Sequence, residues 1–167
     1  MAASLAVQAH GQSVPTNGLV AYYPFNGNAN DASGNGNNGT IHGALNTTNR
    51  FGTTSSALSF NGSNAYVDFG SPGLLAFPSN FTVSAWCSFI GGSANPRLID
   101  YGQDYGFELL TAGTGAARRF QFACGYSTYI QTTASYPQNT WMQVVGVVSN
   151  GTAFLYVNAA LGASGAI

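Results

Sequence analysis

Lysine does not occur anywhere in this sequence, and only 5% of its residues are charged, where an average soluble domain carries about a quarter. Four arginines against five acids leave a net charge of −1. That balance excludes the basic surface that neutralises phosphates, and nucleic acid with it as a partner. No run approaches the roughly 18 apolar residues of a membrane span, and no window sustains a helical period. The two cysteines, Cys87 and Cys124, lie in strand-like segments without zinc-finger spacing, so metal ligation through sulfur is set aside. They either pair as a disulfide or pack as small buried hydrophobes.

What the chain does have is 13% aromatic residues, 22 glycines, and an abundance of Asn, Ser and Thr that supplies its solubility. Asn and Gly tolerate positive φ and favour turns, so this composition suits many short strands joined by polar loops. At 167 residues the chain is expected to form one domain, able to bury about 68–70% of its unfolded surface.

Residues 1–17 are read apart from that domain, as the remnant of a signal peptide or a disordered extension. Val7-Gln8-Ala9 meets the small-residue rule for a signal-peptidase site, but no Lys or Arg precedes Arg50 to make a positive n-region. From there, Gly18-Leu19-Val20-Ala21-Tyr22-Tyr23-Pro24-Phe25 is expected as a strand ended or pushed to an edge by Pro24. The Asn/Gly-rich stretch 26–39 follows, too long and too rich in turn formers for a simple connection. Leu58-Ser59-Phe60 and Tyr66-Val67-Asp68-Phe69 flank Asn61-Gly62-Ser63, a pattern that predicts a hairpin. Residues 81–89 alternate with period two, and further strands are expected over 97–101, 106–110, 119–124, 142–148 and 153–157. The expected fold is all-β, an antiparallel sandwich or barrel.

Four blocks in order carry a resemblance. They are residues 18–34, then Ala57-Leu58-Ser59-Phe60-Asn61-Gly62, then Phe81-Thr82-Val83-Ser84-Ala85-Trp86, and finally Thr140-Trp141-Met142-Gln143-Val144-Val145 leading to Leu155-Tyr156-Val157-Asn158. Together they resemble the laminin G-like domains of the concanavalin A-like lectin and glucanase superfamily, of the bacterial secreted type, over residues 18–167. The resemblance implies a jelly-roll β-sandwich, a secreted location and a carbohydrate- or surface-binding role in adhesion. In two places the chain departs from the family. Ala159 stands where the family has a glycine in a tight turn, and the sequence ends before the family's final strand. The implied fold is thus incomplete at its C-terminal strand, either as a fragment or as a sandwich completed by a partner chain or a second copy.

Candidate chemistry is sparse. Glycoside hydrolysis needs a pair of carboxyl groups, and the chain offers one glutamate, Glu108, near Asp100 and Asp104. That makes a polysaccharide-active enzyme the alternative reading, a structural spacer the third, and a non-catalytic module the leading one. His10 and His42 stand alone without a nucleophile and an orienting acid. Calcium is the expected cofactor, with Asp31 and Asn35 as ligands, because an Asn/Gly loop offers carbonyl and carboxylate oxygens and similar domains hold calcium in such a position. An Asx-turn at Asp31 is the other reading. Trp86 and Trp141 fall within the family's framework blocks and are read as structural. The expected carbohydrate-binding residues are Asp100, Tyr101, Asp104, Tyr105, Tyr126 and Tyr129, where tyrosine rings stack on sugar and neighbouring polar groups take its hydroxyls. Arg118-Arg119 is expected at a solvated hairpin tip. The expected partner is a glycan or an extracellular surface protein.

Overall fold

The computed structural model describes residues 15–70, 80–91, 96–102, 106–113, 117–125 and 128–167. Among these there is no helix. Thirteen strands are present: β1 (Thr40–His42), β2 (Leu45–Thr47), β3 (Ala57–Ser59), β4 (Tyr66–Asp68), β5 (Phe81–Cys87), β6 (Arg97–Tyr101), β7 (Phe107–Ala112), β8 (Ala117–Cys124), β9 (Thr128–Gln131), β10 (Tyr136–Pro137), β11 (Met142–Ser149), β12 (Thr152–Val157) and β13 (Ala160–Ala166).

Two antiparallel sheets form the sandwich. One runs β13-β12-β11-β5; the other runs β10-β8-β7-β6, with β9 also paired to β8. Alternation decides which side chains meet between them. Met142, Val144 and Val148 of β11 and Ala153, Leu155 and Val157 of β12 point inward, against Phe107, Leu109, Phe120, Phe122 and Cys124 of the opposite sheet. Burying a side chain of Leu or Phe size contributes about 1.5–3 kcal/mol, so this layer, more than any loop, holds the two sheets together. Cys87 and Cys124 are both free. Burial pushes the Cys87 thiol up to about 12 and the Cys124 thiol up to about 11. Both therefore stay protonated and behave as hydrophobes.

Two expectations about strands are corrected. The segments around Asn61-Gly62 do not pair with each other, since β3 pairs with β2 and β4 with β1. Asn61 explains why: its Oδ1 accepts the N–H groups of Ser63, Asn64 and Ala65 at 3.0–3.1 Å. The carboxamide thus closes a wider Asx loop on itself in place of a two-residue turn. Residues 18–25 likewise join no ladder. Side chains from the following loop satisfy part of their backbone, with Val20 O accepting Ser33 Oγ, Asn35 Nδ2 and Asn37 Nδ2 at 3.3, 3.0 and 2.9 Å. Arg118 also departs from expectation. It is fully buried and donates to Thr111 Oγ1 at 3.2 Å, while Arg119 beside it is exposed.

β13 was not read from its small, glycine-rich sequence. It forms because Asn158 and Ala159 make a two-residue turn, with Val157 opposite Ala160 and φ of 50° and 66° at the two turn residues. Positive φ at both central positions is the type I′ pattern that matches strand twist, and it is unfavourable for an alanine. Ala159→Gly should therefore stabilise the fold by about 1 kcal/mol, which differential scanning calorimetry would register as a midpoint higher by roughly 2–4 °C.

Candidate functional site

Side chains excluded from the core by the same alternation appear on the outer sheet faces. Across the five-stranded sheet, Asp100 of β6 lies opposite Glu108 of β7, Glu108 opposite Ala123 of β8, and Ala123 opposite Tyr129 of β9. Opposed residues share a face, so these four make one continuous row. At ladder spacing it spans roughly 14 Å. Tyr129 ends the row as a ring 60% exposed, and the small Ala123 leaves a shallow floor between it and Glu108. A second row runs beside it through Leu110, Gln121 and Gln131. There Gln121 Nε2 donates to Gln131 Oε1 at 2.6 Å, which leaves the Gln121 carbonyl and the Gln131 NH₂ for a ligand.

Arg97 organises the acidic end. Its Nε lies 3.1 Å from Asp100 Oδ2 and 3.0 Å from Glu108 Oε1. One guanidinium thus ties the two carboxylates together at the end of the row. The arrangement is fit to hold polar groups in place for hydrogen bonding.

Of the expected carbohydrate-binding residues, Asp100 and Tyr129 come together on this face. Tyr101 does not join them. Its ring packs on the core side, stacked on Phe107 with centroids 5.9 Å apart, because it is one step out of phase with Asp100. Asp104, Tyr105 and Tyr126 lie outside the described residues. Sequence reasoning missed Arg97, Gln121 and Gln131 as members of the face. The signal available for them was strand phase combined with register, and register is not visible in one strand alone.

Asp31 sits at the centre of the 26–39 loop as an acceptor. Its Oδ1 takes the N–H groups of Tyr22 and Ser33 at 2.9 and 2.8 Å, and its Oδ2 takes the Ser33 hydroxyl and the Asn37 N–H at 2.8 and 3.0 Å. Burial pushes the carboxyl up, but these donors outweigh it and bring the pKa down from 3.8 to about 2. Burial, and then the Asp31 charge, push the neighbouring Tyr23 phenol up. Four donors fill the roughly four lone-pair sites of a carboxylate. Asn35 turns its Nδ2 to Leu19 O and Val20 O at 2.8 and 3.0 Å. A calcium ion takes oxygen ligands, so at Asp31 it would have to displace N–H and O–H donors that already fit. In this arrangement the donor set suits a hydrogen-bonded knot and does not suit the ion. Among the described residues, no group of three or more His, Cys, Asp or Glu could hold a metal.

Trp86, expected as a framework residue, is 43% exposed and faces outward from β5. The Arg50 guanidinium lies over it, 4.2 Å from the ring centroid, and 4.1 Å from that of Phe51.

These features define a class: an antiparallel β-sandwich that presents polar and aromatic side chains on its sheet faces. The family model for laminin G-type domains, described as the concanavalin A-like lectin/glucanases superfamily, matches residues 61–167, and the chain belongs to that family. No curated protein and no solved structure matches it. The superfamily description covers both lectins and glucanases, so membership supports a carbohydrate-binding or related module in general without deciding catalysis.

Proposed function

We propose that this chain is a non-catalytic glycan-binding module of a secreted protein, acting in surface attachment. In this reading it holds an extended saccharide across the outer face of its five-stranded sheet. The observation that carries the reading is the row Asp100, Glu108, Ala123, Tyr129, in which four adjacent strands place an exposed ring, a flat floor and a fixed acidic end on one line. Tyr129 stacks on the C–H face of a sugar ring, while the carboxylates and the Gln121–Gln131 pair take hydroxyls along the chain. Arg97 holds the carboxylates so that little ordering entropy is lost on binding.

Binding of a panel of neutral oligosaccharides, followed by isothermal titration of the best ligand, tests this. Tyr129→Ala should weaken binding about tenfold, the equivalent of about 1.4 kcal/mol. Asp100→Asn should weaken it less, because one of two carboxylates remains. Release of reducing ends from any bound polymer would overturn the non-catalytic reading, and unchanged affinity in Tyr129→Ala would remove the site from this face.

A further inference from the structure

Arg50 is unlike the other three arginines. Arg97 is tied to two carboxylates, Arg118 is buried, and Arg119 is exposed on the outer face of the five-stranded sheet. Arg50 is exposed, and its guanidinium is held by rings, at 4.1 Å from the Phe51 centroid and 4.2 Å from the Trp86 centroid. Among the described residues, none of its N–H donors meets a carboxylate or any other acceptor.

The loop that carries Arg50 is itself fixed. Asn49 Oδ1 accepts the N–H groups of Phe51 and Thr53 at 2.9 and 3.0 Å, and the Asn49 N–H donates to Thr53 O at 2.9 Å. Phe51 is left 73% exposed, with ring surface free to stack. Gln143 lies opposite Trp86 on β11 and shares its outward face. Side by side there are a pre-oriented guanidinium fork, two exposed aromatic rings and an amide, all in a chain with very few charges to compete for the cation.

We propose that Arg50, Phe51 and Trp86 form a second saccharide site, selective for an acidic sugar that carries a carboxylate or a sulfate on its ring. The in-plane edge of Arg50 pairs with two oxygens of the anion. Phe51 and Trp86 contact the apolar surface of the same sugar ring, and Gln143 takes a hydroxyl. The site rests on the glycan-binding reading but lies on the four-stranded sheet, across the core from Tyr129, so an acidic polysaccharide would engage a different face from a neutral one.

The test is titration of the whole chain with polygalacturonate, with dextran sulfate and with neutral dextran, at low and at physiological salt. Binding of one or both acidic polymers, weakened by salt, is expected, and the polymer that binds identifies the anion as carboxylate or sulfate. Arg50→Gln should lower that affinity about tenfold, and Arg50→Lys should also lower it because an ammonium cannot pair in the same two-pronged way. Phe51→Ala, at an exposed position, is the second variant, and a thermal midpoint unchanged from the parent shows that the fold is intact in each. Tyr129→Ala should bind acidic polymer as the parent does. The proposal is overturned by an absence of acidic-polymer binding, by equal binding in Arg50→Gln and the parent, or by loss of that binding in Tyr129→Ala. Failure of the neutral-glycan reading alone would show differently, as acidic binding that needs Arg50 with no neutral binding that needs Tyr129.

Discussion

Gly146→Ala should lower the thermal midpoint by roughly 4–8 °C, the equivalent of about 2 kcal/mol in a domain of this size. Gly146 sits inward-facing in β11 among Val144 and Val148. A Cβ added there would stand 2.7–2.8 Å from three ring atoms of Phe122, far inside van der Waals contact. Phe122 is fully buried, and its ring packs edge-on against Phe81 at 6.1 Å, so it has nowhere to swing without disturbing the core. The two sheets approach as closely as they do at this point because the position carries no side chain. Gly146→Val should cost more than Gly146→Ala. Combining Gly146→Ala with Phe122→Leu should cost less than the sum of the two single changes, since the smaller side chain opens the space that the methyl needs. Denaturant unfolding of the four variants measures this directly, and strict additivity would show that the two side chains do not compete for one volume.

Asp31→Ala should destabilise the fold by about 3 kcal/mol, a drop of roughly 6–12 °C. Its carboxylate gathers the N–H groups of Tyr22, Ser33 and Asn37 and the Ser33 hydroxyl, and hydrogen bonds to a charged group are the stronger kind. Asp31→Asn should fall between Ala and the parent, because one carboxylate oxygen becomes an NH₂ that faces donors. The pH dependence follows from the lowered pKa. A carboxyl that titrates at about 2 when folded and at 3.8 when free stabilises the fold in full above 3.8. That contribution drains away as the pH falls from there through about 2. The parent should therefore lose stability across this window, and Asp31→Asn should lose less of it. The same melting experiment, run with calcium and then with chelator, separates the knot from the ion. A knot of protein donors predicts one midpoint in both conditions, whereas calcium ligation predicts a higher midpoint with calcium.

The strands of the main sandwich were legible because burial imposes a period of two on each of them. Residues 81–87, 142–149 and 152–157 alternate inward and outward in the sequence as they do in space. The short ribbons were less legible. β1 and β2 are three residues each, too few for alternation to stand out, and residues 18–25 have the composition of a strand while side chains of the next loop hold part of their backbone. At the outer face, Asp100 and Tyr129 could be picked out as chemistry, but Tyr101 could not be separated from them by residue type.

The sequence by itself determined that the chain is all-β and that its core is made by alternate residues of its longer strands, because those properties follow from composition and local period. Only the tertiary structure decided which residues share a face. Asp100, Glu108, Ala123 and Tyr129 are brought into line by three ladder registers, and Arg50 reaches Trp86 across 36 positions of sequence. Register and long-range approach are set by how sheets pair and pack, and a shift of one residue in any ladder would turn the same side chains to the other face.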